Sequence, residues 1–261
     1  MEAYRKLPTT IPPDSIILGD CLEVMDHIPS GSIDAIIADL PFGVTNCKWD
    51  TPIPLDKLWE GYLRVAKKTA PIVLFASQPF TSNLIMSKPK LFKYCWYWEK
   101  EKGTGFLNAK RQPLRSIEEI CVFYRQQPTY NPQMVARDKP YRHTLPISET
   151  DIHNKVRTTS NDDPTKREYA VYTHTYPKNI LQFPRDNANK SLIPTQKPLK
   201  LLEYLVETHT NPGDLVLDNT AGSGTTLIAC ASLLRKFIGI EMDEGHFETM
   251  ETRLIRKLLT V

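Results

Sequence analysis

Apolar positions along the first 125 residues follow two alternating periods. SIILGD (15–20) is a short apolar run closed by Gly-Asp, and IDAIIADL (33–40) is almost wholly apolar, the pattern of a strand covered on both faces. Between them CLEVMDHI (21–28) has helical spacing and stops at Pro29-Ser30-Gly31. LDKLWEGYLRVAKK (55–68) sets Leu55, Leu58, Tyr62 and Val65 on one helical stripe and ends in basic residues, which suit the C-terminal end of the helix dipole. PIVLFAS (71–77) predicts another buried strand. KYCWYWEK (93–100) and EEICVFYR (118–125) predict strands from their aromatic and β-branched content, with Tyr94–Trp98 assigned to the core. Short strands of parallel type separated by helices predict an α/β layered sheet.

Residues 126–190 break this rhythm. No glycine stands between Gly105 and Gly213, while nine prolines fall in 126–198. TDIHNKVRTTSNDDPTKRE (150–168) is polar and aperiodic and predicts loop or partial disorder, so the stretch reads as an inserted module outside the sheet. The α/β rhythm then resumes. Pro198 opens the helix KPLKLLEYLVETH, which Asn211-Pro212-Gly213 ends, and DLVLD (214–218) is a strand. Asn-Thr-Ala-Gly-Ser-Gly-Thr-Thr (219–226) leads into a helix, LIACASLLR, and KFIGIEM (236–242) is the next strand. The last helix sets Phe247, Met250, Leu254 and Leu258 on one face.

Composition mainly excludes. Eleven Gly and 21 Pro in 261 residues show no period, which rules out collagen, and 41% hydrophobic residues rule out a disordered chain. No apolar run reaches the ~20 residues that span a bilayer, and MEAYRKLPTTIPPDS lacks the apolar core of a signal peptide. Five scattered Cys (21, 47, 95, 121, 230) lack zinc spacing, so no metal site is expected and the thiols read as reduced. A membrane is therefore not an expected partner. Charge is informative once divided: 86–125 carries nine basic and four acidic residues and 126–190 ten and seven, while both ends are mildly acidic. A basic middle suits a polyanion-binding face, though a solvated surface accounts for it equally.

Two turns carry chemistry. Gly222 and Gly224 stand where the chain leaves a strand and enters a helix. Lacking side chains, they let the backbone and its N–H groups approach a ligand, as in the nucleotide-binding turn of a Rossmann-like sheet. Glu241 ends the next strand, where an acid that grips a ribose diol belongs. The second turn is Ala38-Asp39-Leu40-Pro41-Phe42-Gly43, at the end of the strand 33–40. A carboxylate and a turn carbonyl can accept hydrogen bonds from an amino group while the ring stacks on a planar base. Taken singly, each turn also reads as ordinary βα packing.

Together, Asp-Leu-Pro-Phe (39–42), Pro-Thr-Gln-Lys-Pro (194–198) and Asp-Asn-Thr-Ala-Gly-Ser-Gly-Thr-Thr (218–226) resemble the signatures of S-adenosylmethionine-dependent DNA amino-methyltransferases, which act on adenine N6 or cytosine N4. Catalytic motif, variable region and cofactor motif follow in the order of the β-group, and Gly43 with Lys48-Trp49-Asp50 resembles its phage and bacterial members. The resemblance implies a mostly parallel Rossmann-like methyltransferase sheet with circularly ordered motifs. Residues 1–125 would be its catalytic half, 126–190 an inserted target-recognition region and 191–261 its cofactor half. It implies that Asp39 and the Leu40 carbonyl hold the target amino group, with Pro41 shaping the turn and Phe42 stacking on the base. Asp39, Asp218, Gly222, Gly224, Thr225 and Thr226 would line S-adenosylmethionine, with Glu241 on the ribose, Asp20 at the adenine edge, and Thr195, Gln196 and Lys197 over the methionine end. Leu40 stands where a first proline is usual and Phe42 where tyrosine is, and Asp-Asn-Thr-Ala replaces a segment that commonly holds an aromatic residue.

Double-stranded DNA is the implied partner. Lys110, Arg111 and Arg115 are expected near phosphates, and Arg142, Arg157, Lys166 and Arg167 in the recognition insert. A homodimer and a cognate restriction endonuclease are further partners that the resemblance admits, in a bacterial or phage-encoded protein of the cytoplasm and nucleoid. Asp at the head of the catalytic tetrapeptide favours adenine N6, by base flipping and direct in-line transfer, over cytosine N4, where serine is more typical. The competing readings are an RNA or protein-glutamine methyltransferase and a catalytically impaired DNA-binding relative. A nicotinamide dehydrogenase is disfavoured because the glycine turn arrives only at 218.

Overall fold

A computed structural model describes residues 1–43, 51–144, 156–158, 169–186 and 196–259. The chain divides into two compact units, Met1–Asn131 with Asn179–Val261, and Pro132–Lys178. In the larger unit the chain runs β1 (Glu2–Tyr4), β2 (Ser15–Leu18), α1 (Cys21–Met25), β3 (Ala35–Asp39), α2 (Leu55–Val65), β4 (Ile72–Ala76), α3 (Phe80–Ser87), β5 (Phe92–Thr104) and β6 (Arg115–Phe123). The smaller unit carries β7 (Val135–Thr144), β8 (Val156–Thr158) and β9 (Tyr169–Thr175). The larger unit resumes with β10 (Ile180–Gln182), α4 (Leu199–His209), β11 (Leu215–Asp218), α5 (Thr225–Ser232), β12 (Lys236–Glu241) and α6 (Glu244–Leu258).

The nine-stranded sheet has the order β1-β2-β12-β11-β3-β4-β6-β5-β10 and is parallel throughout except at β6. Its central strands are apolar on both faces because helices cover both. Ile36 and Ala38 pack with Leu58, Trp59 and Tyr62 of α2, while Ala35 and Ile37 belong to the layer of Leu201, Leu205, Leu227 and Phe247. Helix ends follow local chemistry. Asp20 caps α1 by accepting from Leu22 N at 2.7 Å, and Asp243 caps α6 by accepting from His246 N at 2.9 Å. Arg125 donates to the carbonyls of Leu63 (3.1 Å) and Lys67 (3.0 Å), satisfying the open end of α2.

Several elements depart from the sequence pattern. β5 and β6 form an antiparallel hairpin rather than parallel-type strands, because the ten residues 105–114 are too few for a crossover. The stretch 126–190 does not stay outside the sheet: Ile180–Gln182 pairs in parallel with β5, Leu181 is buried, and the second unit ends at Lys178. That unit is a three-stranded antiparallel sheet of order β7-β9-β8, and its β8 falls inside the polar stretch read as loop. Phe247, Met250 and Leu254 are fully buried, whereas Leu258 is 42% exposed on the last turn of α6. Helix α3 and strand β1 are further elements that the sequence pattern does not announce. Among the described residues, no helix is long and apolar enough to cross a membrane.

Topology places the site. From β11 the chain passes through α5 to β12, towards β2; from β3 it passes through α2 to β4, in the opposite direction. A crevice opens where such connections diverge, beyond the carboxyl ends of β11 and β3.

Candidate active site

A cavity of about 430 Å³ occupies that crevice. Its lining joins the last residues of four parallel strands, Asp39, Asp218, Glu241 and, just past β2, Asp20, to the turns that follow them. Leu40, Pro41, Phe42, Gln196, Lys197, Gly222, Thr225 and Thr226 also line it, so residues far apart in the chain converge on one cavity. Gly224 stands behind this wall. Thr195, Lys166, Arg167 and 48–50 lie outside the described residues. Arg142 and Arg157 belong to β7 and β8 of the second unit, and their side chains also lie outside the described ones. Arg115 lines the cavity, whereas Lys110 and Arg111 are exposed on the β5–β6 connection and do not.

The turn after β11 is fixed from several sides. Ala221 N donates to Ile240 O at 2.8 Å and Gly222 N to Glu241 Oε2 at 2.7 Å, while Asp243 N donates to Glu241 Oε1 at 2.8 Å. Glu241 thus organises two loops besides facing the cavity. Gly222 has φ +52°, with open space where a Cβ would stand; Gly224 has φ +75°, and a Cβ there would lie 2.7 Å from Met250 Cγ. Arg253 of α6 donates to the Ser223 carbonyl (2.5 Å) and hydroxyl (2.7 Å) and to Thr225 Oγ1 (3.1 Å), which explains a charged residue beside the core stripe of that helix. Asp218 is buried, and burial pushes its carboxyl up to about 7 against the hydrogen bonds from Thr226 and Thr220 N. Asn219 accepts from the Tyr62 hydroxyl at 2.5 Å, tying the turn to α2.

The turn after β3 carries a charge network that no motif announces. Lys197 Nζ lies 2.5 Å from Asp39 Oδ2 and 3.0 Å from Glu118 Oε1, and Lys100 Nζ lies 2.5 Å from Glu118 Oε2. Side-chain exposures are 30% for Asp39, 11% for Lys197, 8% for Glu118 and 15% for Lys100, so two acids and two bases neutralise one another almost out of water. Burial raises the Asp39 carboxyl, with Lys197 opposing. Burial likewise disfavours the Lys197 ammonium, but Asp39 and Glu118 outweigh it and hold the lysine charged. Burial acts against the Glu118 charge too, and Lys197 and Lys100 overcome it. Lys197 thus lines the cavity while engaged by two carboxylates. Phe42 is backed by Phe80 of α3, ring centroids 5.4 Å apart at 27°. Glu118, Lys100 and Phe80 escaped the sequence reading as site residues, and Tyr62 was read only as part of a buried helical stripe; the one available signal was a glutamate in a strand otherwise destined for burial.

A mostly parallel sheet with a glycine turn at its switch point, beside an acid-headed turn whose ring is backed by Phe80, defines the Rossmann-like methyltransferase class. The chain belongs to the N6/N4 DNA methylase family of S-adenosylmethionine-dependent amino-methyltransferases, whose profile matches residues 33–252. It is 25% identical to the type II methyltransferase M.HindIII of Haemophilus influenzae, over 92% of this chain and 95% of that one. It is 28% identical to the DNA adenine methyltransferase YhdJ of Escherichia coli K12, over 92% and 82% of the two chains. The fold matches that of the M1.HpyAVI–SAM complex with a TM-score of 0.58 and 24% identity, covering 91% of this chain and 98% of that one. It also matches the cytosine-N4-specific PvuII DNA methyltransferase, with a TM-score of 0.65 and 16% identity over 95% and 89%.

Proposed function

We propose that the protein methylates the N6 amino group of adenine in double-stranded DNA, with the base turned out of the helix into the cavity. The observation that carries this reading is Asp39, heading Asp-Leu-Pro-Phe at the cavity wall beside the glycine turn, whose Thr220 hydroxyl donates to the Asp39 carbonyl at 3.0 Å. The adenine-specific name of the 28% identical relative supports the choice of base. The residues suit S-adenosylmethionine: Gly222 leaves open space at the turn, and Asp218, Glu241 and Asp20 offer acceptors for a cationic ligand with ribose and amino groups. When bound, that cofactor supplies an electrophilic methyl group.

The chain's own residues supply the rest. An exocyclic amine is a weak nucleophile because its lone pair is delocalised into the ring. Asp39 and the Leu40 carbonyl accept hydrogen bonds from its two N–H groups and draw the nitrogen towards tetrahedral geometry, which localises the pair; the one proton that methylation displaces from the nitrogen leaves past Asp39 to water. Lys197, anchored by Glu118, opposes the burial that raises the Asp39 carboxyl and so favours its anionic, accepting form. Phe42, supported by Phe80, stacks on the base and fixes its plane. No covalent intermediate on the protein is required.

Incubation of DNA with the enzyme and isotopically labelled cofactor, followed by nucleoside mass spectrometry, tests this directly. Labelled N6-methyladenine is expected, whereas N4-methylcytosine alone would overturn the choice of base. Asp39→Ala is expected to lower kcat by about 100- to 1,000-fold with cofactor binding retained. An Asp39→Ala enzyme working at full rate would sink the mechanism.

A further inference from the structure

The β5–β6 hairpin carries two large apolar side chains into solvent at its tip: Phe106 is 80% exposed and Leu107 99%. They stand on an ordered scaffold. Gly105 takes φ +90° and opens a single 3-10 turn, Phe106–Asn108, closed by Asn108 N to Gly105 O at 2.9 Å and Ala109 N to Phe106 O at 3.0 Å. Arg111 N to Asn108 O at 2.8 Å continues the turn. Below the tip, Leu114 lies across the ribbon from Gly103, where a Cβ would sit 2.7 Å from Leu114 Cβ.

The direction of the ribbon is set by topology. β5 is parallel to β4, being two antiparallel steps away, so its carboxyl end leaves the sheet at the edge that holds Asp39 and Asp218. Neighbouring strand pairing ends at Glu99 on one side and Glu119 on the other; beyond those residues the hairpin carries no further strand, and Arg185 holds its base through Glu101 (3.0 Å) and the Lys102 carbonyl (2.8 Å). Its terminal rung, Thr104 opposite Arg115, lines the cavity. Phe106 is therefore two residues from the cavity wall. Charge points the same way: Lys102, Lys110, Arg111 and Arg115 surround the tip, and no acid occurs between Glu101 and Glu118.

We propose that Phe106 and Leu107 form a wedge that enters the DNA stack beside the target base and holds open the gap the base leaves when it turns into the cavity. Exposed apolar side chains gain by leaving water for the faces of unstacked bases, while the surrounding cations take the phosphates on either side. Unstacking costs a few kcal/mol, and a preformed wedge at the cavity mouth offsets it where the base must cross. The inference rests on the DNA reading above and adds to it the residues that open the duplex.

The test compares two substrates on one preparation of Phe106→Ala/Leu107→Ala enzyme: a duplex carrying the methylated site, mapped beforehand by modified-base sequencing, and the same duplex with an abasic position opposite the target. A wedge predicts at least a tenfold loss of kcat/KM on the paired duplex and less than threefold on the opened one. The rise in 2-aminopurine fluorescence at the target position is expected to be lost in parallel. A variant that is merely less folded lowers both rates together, so the ratio of the two decides. An unchanged ratio overturns the wedge, as does a change in oligomeric state accounting for the loss, which would assign the tip to a second copy of the chain. Phe106→Trp/Leu107→Met is expected to restore the ratio. Wild-type enzyme inactive on both substrates would overturn the DNA reading itself, a result distinct from any of these.

Discussion

Asp39 illustrates how one carboxylate is held by groups drawn from distant parts of the chain. Lys197 is 158 positions away in the chain, and its ammonium is held between Asp39 and Glu118. Glu118→Gln leaves Lys100 without its carboxylate partner and Lys197 with only one. Unfolding free energy in urea is expected to fall by about 3 kcal/mol, the low end for a broken buried pair because Lys197 keeps Asp39; Glu118→Asp should recover part of it. Asp218 supplies a pH dependence. Its folded value is raised from the ordinary 3.8 to about 7, so the folded state keeps a proton that the unfolded state has lost between these values. Stability from this group is therefore lost as pH rises from about 4 to about 7 and is constant above. A cationic cofactor favours the ionised form, so its affinity should rise across the same window with release of a proton. Calorimetry in buffers of different ionisation enthalpy measures that release, and Asp218→Asn should abolish it.

At the scale of elements, the glycine turn shows which local signals were legible. The doublet Gly222-x-Gly224 between an apolar strand and a helix was readable because left-handed backbone and close approach leave few residue choices. The roles differ, however: Gly222 faces open space, while Gly224 packs on Met250 of α6. Gly224→Ala combines a left-handed alanine with that clash. It is expected to cost at least about 1–2 kcal/mol in urea unfolding and to weaken cofactor binding by displacing the turn. The β5–β6 hairpin was half legible: its strands announced themselves by composition, but its antiparallel pairing follows from the connection length. β10 was not legible, since three residues with one buried side chain carry no period.

At the scale of the molecule, doubly covered strands and alternating helices made the layered sheet readable from the chain, whereas strand order was not. The basic middle of the sequence is divided by the fold: Lys110, Arg111 and Arg115 belong to the ribbon at the ligand edge, Arg142 and Arg157 to the separate three-stranded unit. DNA binding is expected to weaken linearly in log–log plots against salt. Replacing Lys110, Arg111 and Arg115 together by Ala should reduce the slope by about 2 to 3, measured by fluorescence anisotropy. The sequence by itself determined the fold class, the two chemical turns and the family, because buried strands, left-handed turns and acid-headed loops impose residue types within a few neighbouring positions. Only the tertiary structure decided that Lys197 joins Asp39 to Glu118, that Phe80 backs Phe42, and that the tip holding Phe106 and Leu107 follows a rung that lines the cavity. Those contacts join side chains from separate strands and helices. Their partners are selected by sheet order and register, which no local pattern records.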